Sequence, residues 1–334
     1  MKYKNTNSYA LPLFQPGTWS LPPRIRSMTL LFGVLWLILC TCSPAFAEEQ
    51  ADAKSNIRPA TLKLNPDAVH WVEHQPGLDV LTLNIKKYFA DDTPVLEVSA
   101  AKEQGNSDMV IVRSDPERFE YSLHMTSEDG QRLSLLERVR RHDLLAAINA
   151  GMYLPDNLKN TGYMRNGQHT NNPRIVSNFG SFFVAGPRKP GLPQANLMEK
   201  PELGQSPQDT LDNYNLALQN YRLISQKGGI LWPESESTYS ISALSKDSKG
   251  NILFITCVFP LSAPDFSRLL LELPINSGLA MYLEGGSQAG LSFCTEKDGQ
   301  KTFMNWRGRH GGLAGLGRLD NVPLPNVLGL KPKS

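Results

Sequence analysis

Short runs of apolar, β-branched and aromatic residues, each bounded by turn residues, recur along the chain from about residue 67 onward. Runs of this length and composition predict β-strands, several of them apolar on both faces and therefore buried. The clearest predicted strands are Asp79–Ile85, Met109–Arg113, Phe119–Met125, Leu144–Asn149, Asn251–Phe259, Leu279–Leu283 and Leu291–Cys294. The pattern therefore indicates a chain rich in strands.

Two segments carry helical spacing instead. Ser134 precedes the first, and Glu137 stands three residues on, which together form a capping box and predict a helix to about His142. The second begins with Pro264 in its first turn and ends before Pro274. Its apolar face comprises Phe266, Leu269, Leu270 and Leu273.

A third amphipathic stretch, Thr210–Asn220, follows a segment rich in Pro, Gly and Gln from Gly186 to Gln208. A structureless connection of that length is uncommon in a compact domain, so the segment is expected to be an insertion or a lid.

The irregular alternation of strands and helices predicts an α+β fold rather than a regular βαβ series. We expect a single domain with a mixed β-sheet and flanking helices over residues 67–320. A polar linker over residues 48–66 precedes it, and a C-terminal tail over residues 321–334 follows it.

The first 47 residues have the pattern of a secretory signal peptide. Arg24 and Arg26 precede an apolar run, Met28–Leu39, and an A-x-A cleavage site follows as Ala45, Phe46 and Ala47. Cleavage after Ala47 would release a periplasmic or secreted protein. The alternative, an uncleaved anchor, is disfavoured because the run is shorter than the ~20 residues that span a bilayer.

Cysteines near this run raise a second alternative, a lipoprotein. Cys40 and Cys42 follow the apolar run, but Leu39 and Thr41 before them are larger than the small residue expected at a lipidation site. After cleavage the chain would keep Cys257 and Cys294, which are either one disulfide or two buried thiols.

The charge of the chain excludes some partners. The chain has 34 basic and 32 acidic residues, and four of the basic ones lie in the first 47 residues, so the remainder is slightly acidic. Such a balance gives no electrostatic footprint for nucleic acid or for an anionic membrane surface. Contact with a membrane is expected only through the signal segment or a lipid anchor.

His70, Glu73 and His74 match the H-x-x-E-H spacing of a zinc peptidase. That chemistry needs a helix, whereas the segment alternates like a strand, in which the two histidines would lie roughly 13 Å apart. No metal site is predicted from these residues, and no cofactor is expected, although a divalent metal stays open.

A glycine-rich turn directly follows the predicted strand Leu279–Leu283. It begins with the Glu284 carboxylate and continues with Gly285 and Gly286, which let a ligand approach the backbone. Ser287 nearly completes a G-x-S-x-G motif, but the nucleophile elbow of that motif leads into a helix, and Leu291–Cys294 is a predicted strand. A plain turn between two strands is the alternative.

A second group of polar residues stands at another strand end. Asn149, Gly151 and Tyr153 follow a predicted buried strand, and a polar loop that contains Arg165 comes after them. Polar groups at the ends of two buried strands could converge on one cleft.

In this order, several segments resemble the bacterial branch of the phosphodiester glycosidase family, whose animal relative is the uncovering enzyme. They are Met109–Tyr153, with LLAAINAGMY at its end, NTGYMRNGQ at Asn160–Gln168, FGSFF at Phe179–Phe183, ISQKGG at Ile224–Gly229 and AMYLEGG at Ala280–Gly286. The resemblance covers about residues 66–316.

The resemblance implies an α+β fold and hydrolysis of a sugar 1-phosphodiester in envelope or exopolysaccharide metabolism. It places Asn149 and Gly151 at one turn of the site, and Gly285 with Ser287 at the other. Glu284 stands where the family usually has Asp, and the segment Thr238–Leu244 lacks an expected Arg.

Such a reaction needs a carboxylate as nucleophile or as base for water, and donors for the phosphate. Glu284 is the expected carboxylate, and Asn149 is expected to hold a sugar hydroxyl. Arg113, Arg165 and Lys227 are candidates for phosphate contacts. Two other functions are weighed against this one: a family member that binds an envelope glycan or glycolipid without hydrolysing it, and a serine hydrolase that uses Ser287.

Overall fold

Nineteen strands occur in the residues that the computed structural model describes, which are 60–65, 68–90, 93–308 and 322–333. In chain order they are β1 (Thr61–Leu64), β2 (Val72–Gln75), β3 (Leu78–Ala90), β4 (Thr93–Ala100), β5 (Met109–Ser114), β6 (Phe119–Met125), β7 (Ala146–Asn149), β8 (Met164–Asn166), β9 (His169–Asn172), β10 (Ser181–Pro187), β11 (Ala195–Glu199), β12 (Tyr214–Asn220), β13 (Arg222–Ile224), β14 (Tyr239–Asp247), β15 (Ile252–Leu261), β16 (Ser277–Gly285), β17 (Gly290–Lys297), β18 (Gln300–Arg307) and β19 (Asn326–Pro332).

Helices are few and short beside the strands. The α-helices of the described residues are α1 (Thr126–Asp129), α2 (Leu135–His142), α3 (Pro207–Leu211) and α4 (Ala263–Glu272). The 3₁₀ turns that bear on the prediction and the site are Lys200–Leu203 and Gly286–Gln288. All described residues belong to one compact unit, Asn56–Ser334, and the fold is α+β, as predicted.

The strands form three sheets. The largest runs in the order β1-β4-β3-β5-β15-β14-β16-β13, with β2 added to β3. The pairing of β1 with β4 is parallel, while its other pairings are antiparallel, so this is the predicted mixed sheet. Two five-stranded sheets have the orders β11-β10-β12-β8-β9 and β18-β17-β7-β19-β6.

The large sheet buries both of its faces. On β5, Val110 and Val112 pack into a core that all three sheets share, while Met109 and Ile111 point to the other side. On that second side the apolar face of α4 covers the sheet. Strands buried on both faces lose polar alternation, which explains the continuous apolar runs in the sequence.

Both predicted helices are confirmed. Ser134 caps α2, with its hydroxyl accepting from the Glu137 N–H and the Glu137 carboxylate accepting from the Ser134 N–H. Helix α4 has Pro264 in its first turn and buries Phe266, Leu269 and Leu270 as expected.

Two predictions in the middle of the chain are corrected. The stretch Thr210–Asn220 is not one amphipathic element, because it contains only the end of α3 and then the strand β12, which is buried on both sides. The segment Gly186–Gln208 is not a structureless connection. It contains β11, which pairs with β10, and the 3₁₀ turn Lys200–Leu203.

The ends of the domain also differ from the expected boundaries. Strand β1 lies within the range assigned to the linker and pairs with β4. Strand β19 lies within the range assigned to the tail, yet it is inserted between β7 and β6. The signal peptide over residues 1–47, with Cys40 and Cys42, lies outside the described residues.

Cys257 on β15 and Cys294 on β17 are both buried and free, so they are two thiols rather than a disulfide. Among the described residues, no helix has the length and hydrophobicity to cross a membrane.

Candidate functional site

The glycine-rich turn joins β16 to β17. Glu284 and Gly285 end β16, and Gly286, with a φ of 64°, begins the 3₁₀ turn that leads to β17. A Cβ on Gly285 would lie 2.6 Å from the Tyr282 hydroxyl oxygen and 2.7 Å from the ring of Tyr239. Glycine is therefore required at both positions, for close approach at the first and for backbone conformation at the second.

A second strand end lies against this turn. Arg307 ends β18, pairs in register with Gly290, and donates from Nη2 to the Ser287 carbonyl oxygen at 3.2 Å. The N–H of Gly308 donates to the Ala289 carbonyl at 2.8 Å, and a Cβ on Gly308 would overlap the carbonyl oxygen of Gly286. The fold thus places the Glu284 carboxylate and the Arg307 guanidinium at the same turn.

Asn149, at the end of β7, contacts the far side of the same turn. Its Oδ1 accepts from the Gly290 N–H at 3.1 Å, and the Ser242 hydroxyl accepts from the same N–H at 3.0 Å. Its Nδ2 is buried and donates no hydrogen bond within the described part of the chain. The structure therefore joins two of the strand ends that the sequence singled out.

Buried asparagines surround the next turn. Gly151 has a φ of 90°, and a Cβ there would lie 2.7 Å from Asn160 Oδ1 and 3.4 Å from Asn220 Nδ2. Asn160 Oδ1 is buried and accepts no hydrogen bond from the described residues. Together with Asn149 Nδ2, this leaves one amide donor and one amide acceptor unsatisfied near Gly151. Buried polar atoms of this kind call for a partner.

The charge of Glu284 dominates the electrostatics of the turn. Burial raises the pKa of its carboxyl above the ordinary value, and a hydrogen bond from the Gly285 N–H, at 3.0 Å, opposes that shift. Burial, and then the charge of Glu284, raise the pKa of Tyr239 and Tyr153, while Arg307 lowers the pKa of Tyr153. Both phenols therefore stay protonated beside the carboxylate.

Two of the three predicted phosphate contacts are engaged in ion pairs. Arg113 forms an ion pair with Asp79 at 2.8 Å and stacks over a tryptophan ring. Arg165 is buried, pairs with Asp212 at 3.0 Å, and donates to two backbone carbonyls. Lys227 is exposed in the turn after β13. The first two stabilise the fold, and none of the three is placed at the turn by a contact of the described residues.

Two motifs from the sequence lack the geometry of their chemistry. The segment His70–His74 enters the strand β2 rather than a helix, and His74 packs edge-on against Phe293. The described residues hold no group of three metal-ligating side chains. Ser287 is buried in a 3₁₀ turn that leads into a strand, so it does not form a nucleophile elbow.

Sequence reasoning missed Arg307, Tyr239 and Tyr282. For Arg307 a signal was present, because it stands at a strand end and is followed by a glycine, as Glu284 is. The two tyrosines carry no signal of their own, since strand tyrosines are ordinary core residues.

Two cavities lie away from the turn. One of about 410 Å³ is lined by residues of β6, β8, β10 and β12, and one of about 250 Å³ is lined by Cys294, Lys301 and their neighbours. Glu284 lines neither of them. The converging charges and unsatisfied amides, rather than a deep cavity, identify the candidate site.

Comparison with known proteins shows likeness in fold alone. No protein family and no curated protein matches the sequence. A similar solved structure is the catalytic domain of zebrafish N-acetylglucosamine-1-phosphodiester alpha-N-acetylglucosaminidase, auto-inhibited by its pro-peptide. It has 13% sequence identity and a TM-score of 0.50, over 83% of this chain and 87% of that one.

A hypothetical protein from Synechocystis also matches, with 13% identity and a TM-score of 0.49 over 79% of this chain. The present chain spans 64% of the length of that protein.

Proposed function

We propose that this chain is a glycoside hydrolase that cleaves a sugar 1-phosphodiester. The observation that carries the proposal is the half-buried Glu284 carboxylate, with its raised pKa, at a turn shared with Arg307. The resemblance of the fold to the catalytic domain of the zebrafish enzyme, and the family motifs in the sequence, support the same reaction.

Each residue at the glycine-rich turn has its own role in the proposed reaction. Glu284 attacks the anomeric carbon, or removes a proton from the attacking water, and a raised carboxyl pKa suits the second role at neutral pH. Arg307 binds the phosphate, which leaves as a stable anion and needs little protonation. Gly285 and Gly286 let the phosphodiester approach the backbone.

The amides near Gly151 select the sugar. Asn149 Nδ2 and Asn160 Oδ1 are a donor and an acceptor without partners, and a ring hydroxyl or an acetamido group can satisfy both kinds of atom. Asn149 would then hold the sugar while its Oδ1 fixes the turn through the Gly290 N–H.

The proposed location is the periplasm or the medium, after cleavage behind Ala47, and the proposed substrate belongs to an envelope glycan or glycolipid. This part rests on the signal-like pattern of residues 1–47.

The experiment measures sugar release from α-N-acetylglucosamine 1-phosphodiesters and related sugar 1-phosphodiesters by the chain that begins at Glu48. Wild type is expected to release sugar, and Glu284→Gln to lower kcat at least about 1000-fold, because the amide can neither attack nor accept a proton. Glu296→Gln, an exposed glutamate on β17, is the matched control and should keep full activity.

Each result bears on the proposal. A folded wild-type chain that releases no sugar, with or without divalent cations, contradicts hydrolysis and favours a glycan-binding protein. Release that survives Glu284→Gln but is lost in Ser287→Ala, with labelling by a fluorophosphonate, contradicts the role of Glu284 and indicates a serine hydrolase.

A further inference from the structure

A row of aromatic rings leads away from the glycine-rich turn. The rings of Trp232 and Tyr282 lie 5.2 Å apart between centroids, and those of Trp232 and Tyr221 lie 5.8 Å apart. Tyr221 in turn packs on Phe179 at 4.2 Å. We call Tyr239, Tyr282, Trp232 and Tyr221 the aromatic row.

The inner end of the aromatic row adjoins Glu284. Tyr282 precedes Glu284 by two residues on β16, across a β-bulge, and the charge of Glu284 adds to burial in raising the pKa of Tyr282. The ring of Tyr239 and the hydroxyl of Tyr282 both lie against Gly285, the residue that follows Glu284. A ligand held at Glu284 is therefore held beside these two rings.

The aromatic row is rigid and only partly covered. The Trp232 indole N–H donates to the Arg222 carbonyl at 2.9 Å, and the Tyr282 N–H donates to the Tyr221 carbonyl at 2.9 Å. Tyr282 is buried, whereas Trp232, Tyr221 and Tyr239 remain partly exposed although they pack on the core. Rings fixed in this way lose little conformational entropy when they bind a ligand.

Charged side chains border the aromatic row. Arg222, next to Tyr221 in the chain, forms an ion pair with Glu199 at 3.1 Å, and Glu234, two residues after Trp232, pairs with Arg268. The surface therefore combines apolar rings with charged neighbours. A pyranose ring has the same two properties, since its C–H face is apolar and its hydroxyl edge is polar.

We propose that the aromatic row is a carbohydrate-binding subsite, on which the sugar rings of an oligosaccharide stack as they lead away from Glu284. The substrate is then a phosphodiester of a glycan with two or more rings, rather than of a single sugar. Placing the reactive end of that glycan at Glu284 rests on the proposed function. The stacking itself is independent of hydrolysis.

The test uses Glu284→Gln as the background, so that binding is measured without turnover. Calorimetry with chitotetraose, cellotetraose and maltotetraose, and with N-acetylglucosamine alone, gives the affinities. Binding of at least one tetrasaccharide is expected, and Trp232→Ala should weaken that binding at least about 10-fold while it changes monosaccharide binding less than about 2-fold.

The matched control is Trp71→Ala, since Trp71 is also a partly exposed tryptophan on the same core but stacks with Arg113 of β5 and is not part of the aromatic row. It should leave tetrasaccharide binding unchanged. Thermal unfolding of each variant separates loss of binding from loss of fold, and Tyr221→Ala replaces Trp232→Ala if the latter does not fold.

Two outcomes overturn the inference: no tetrasaccharide binds to the folded protein, or Trp232→Ala and Tyr221→Ala bind as tightly as their background. Sugar release from monosaccharide phosphodiesters alongside either outcome leaves the proposed function intact. Binding that depends on Trp232, without any phosphodiester hydrolysis, supports the aromatic row and contradicts the proposed reaction instead.

Discussion

At the scale of single residues, the glycine-rich turn holds two opposite charges, Glu284 and Arg307. A carboxylate alone would repel an incoming phosphodiester, so under the proposed function the guanidinium makes an anionic substrate compatible with a nearby carboxylate. Arginine suits this task because its planar group donates two parallel hydrogen bonds to phosphate oxygens.

We therefore expect Arg307→Lys to discriminate between substrates. For a sugar 1-phosphodiester, kcat/KM should fall about 30-fold, which corresponds to ~2 kcal/mol, since lysine keeps the charge but loses the paired hydrogen bonds. The 4-nitrophenyl glycoside of the same sugar has no phosphate. For that substrate, kcat/KM should fall less than about 3-fold. Steady-state kinetics on both substrates measures the difference.

Arg113→Lys is the control, because Arg113 pairs with Asp79 on the large sheet. This variant should leave kcat/KM unchanged for both substrates. Equal losses on the two substrates in Arg307→Lys would mean that Arg307 only supports the turn through the Ser287 carbonyl.

The sequence identifies single site residues unevenly. A carboxylate before two glycines at a strand end is visible, and so Glu284 could be predicted. Arg307 before Gly308 has the same form, yet the bases predicted from the sequence are Arg113, Arg165 and Lys227. Two of these, Arg113 and Arg165, form ion pairs elsewhere. Which bases stand at the turn depends on contacts between distant segments, which spacing does not contain.

At the scale of elements, two histidines join helix α2 to strand β6. The rings of His142, at the end of α2, and His124, on β6, lie 4.0 Å apart. Burial, followed by the charges of His142 and Arg138, lowers the pKa of His124 to about 4, whereas Asp129 opposes the shift and Lys331 on β19 adds to it. Burial also lowers the pKa of His142.

The lowered pKa of His124 predicts that the protein loses stability in acid. The unfolded chain takes up protons near the ordinary histidine pKa of 6.5, while folded His124 resists them down to about 4, so stability is complete above 6.5 and falls as the pH decreases. At pH 5 the loss from His124 is on the order of 2 kcal/mol. Urea unfolding at pH 7 and pH 5 measures it.

His124→Phe keeps a ring against His142 but cannot titrate, and it should reduce the pH dependence by about that amount. His70→Gln, at an exposed histidine, should retain the wild-type dependence. An unchanged slope in His124→Phe would show that the pair does not govern acid stability.

The elements themselves follow from local sequence where local signals are strong. The capping box at Ser134 and the proline at the start of α4 gave both helices with nearly the right ends. Strand β12 was obscured because it is buried on both faces, which removes the alternation that identifies a strand. Strand β11 was obscured by the glycines and prolines before it.

At the scale of the whole molecule, β19, the last strand in chain order, is an inner strand of its sheet. Strand β19 lies between β7 and β6 and is buried from Asn326 to Leu330. Its partner β6 lies some 200 residues earlier in the chain. The local sequence pattern assigns such a segment to a tail, because it contains no signal of pairing with a distant strand.

Removal of residues 326–334 should therefore prevent folding, since β7 and β6 would each lose a neighbouring strand in the interior of the protein. Expression in soluble form and cooperative thermal unfolding are the measurements. A chain that lacks only Lys333 and Ser334 is the control and should fold.

A milder variant, Gly329→Ala, tests the packing of the same strand. The added Cβ would lie 2.7 Å from the Leu144 side chain, and the expected loss is about 1–3 kcal/mol. A truncated chain that still unfolds cooperatively at the wild-type temperature would contradict this account of β19.

The position of β19 makes the site depend on a strand that is distant from it in the chain. Asn149 ends β7, and β7 is held between β17, which begins at the glycine-rich turn, and β19. A protease that removes the chain from Asn326 onward yields a product without a framework for Asn149. Under the proposed function, sugar release would then also report that β19 is present, and trimmed copies would be silent rather than partly active.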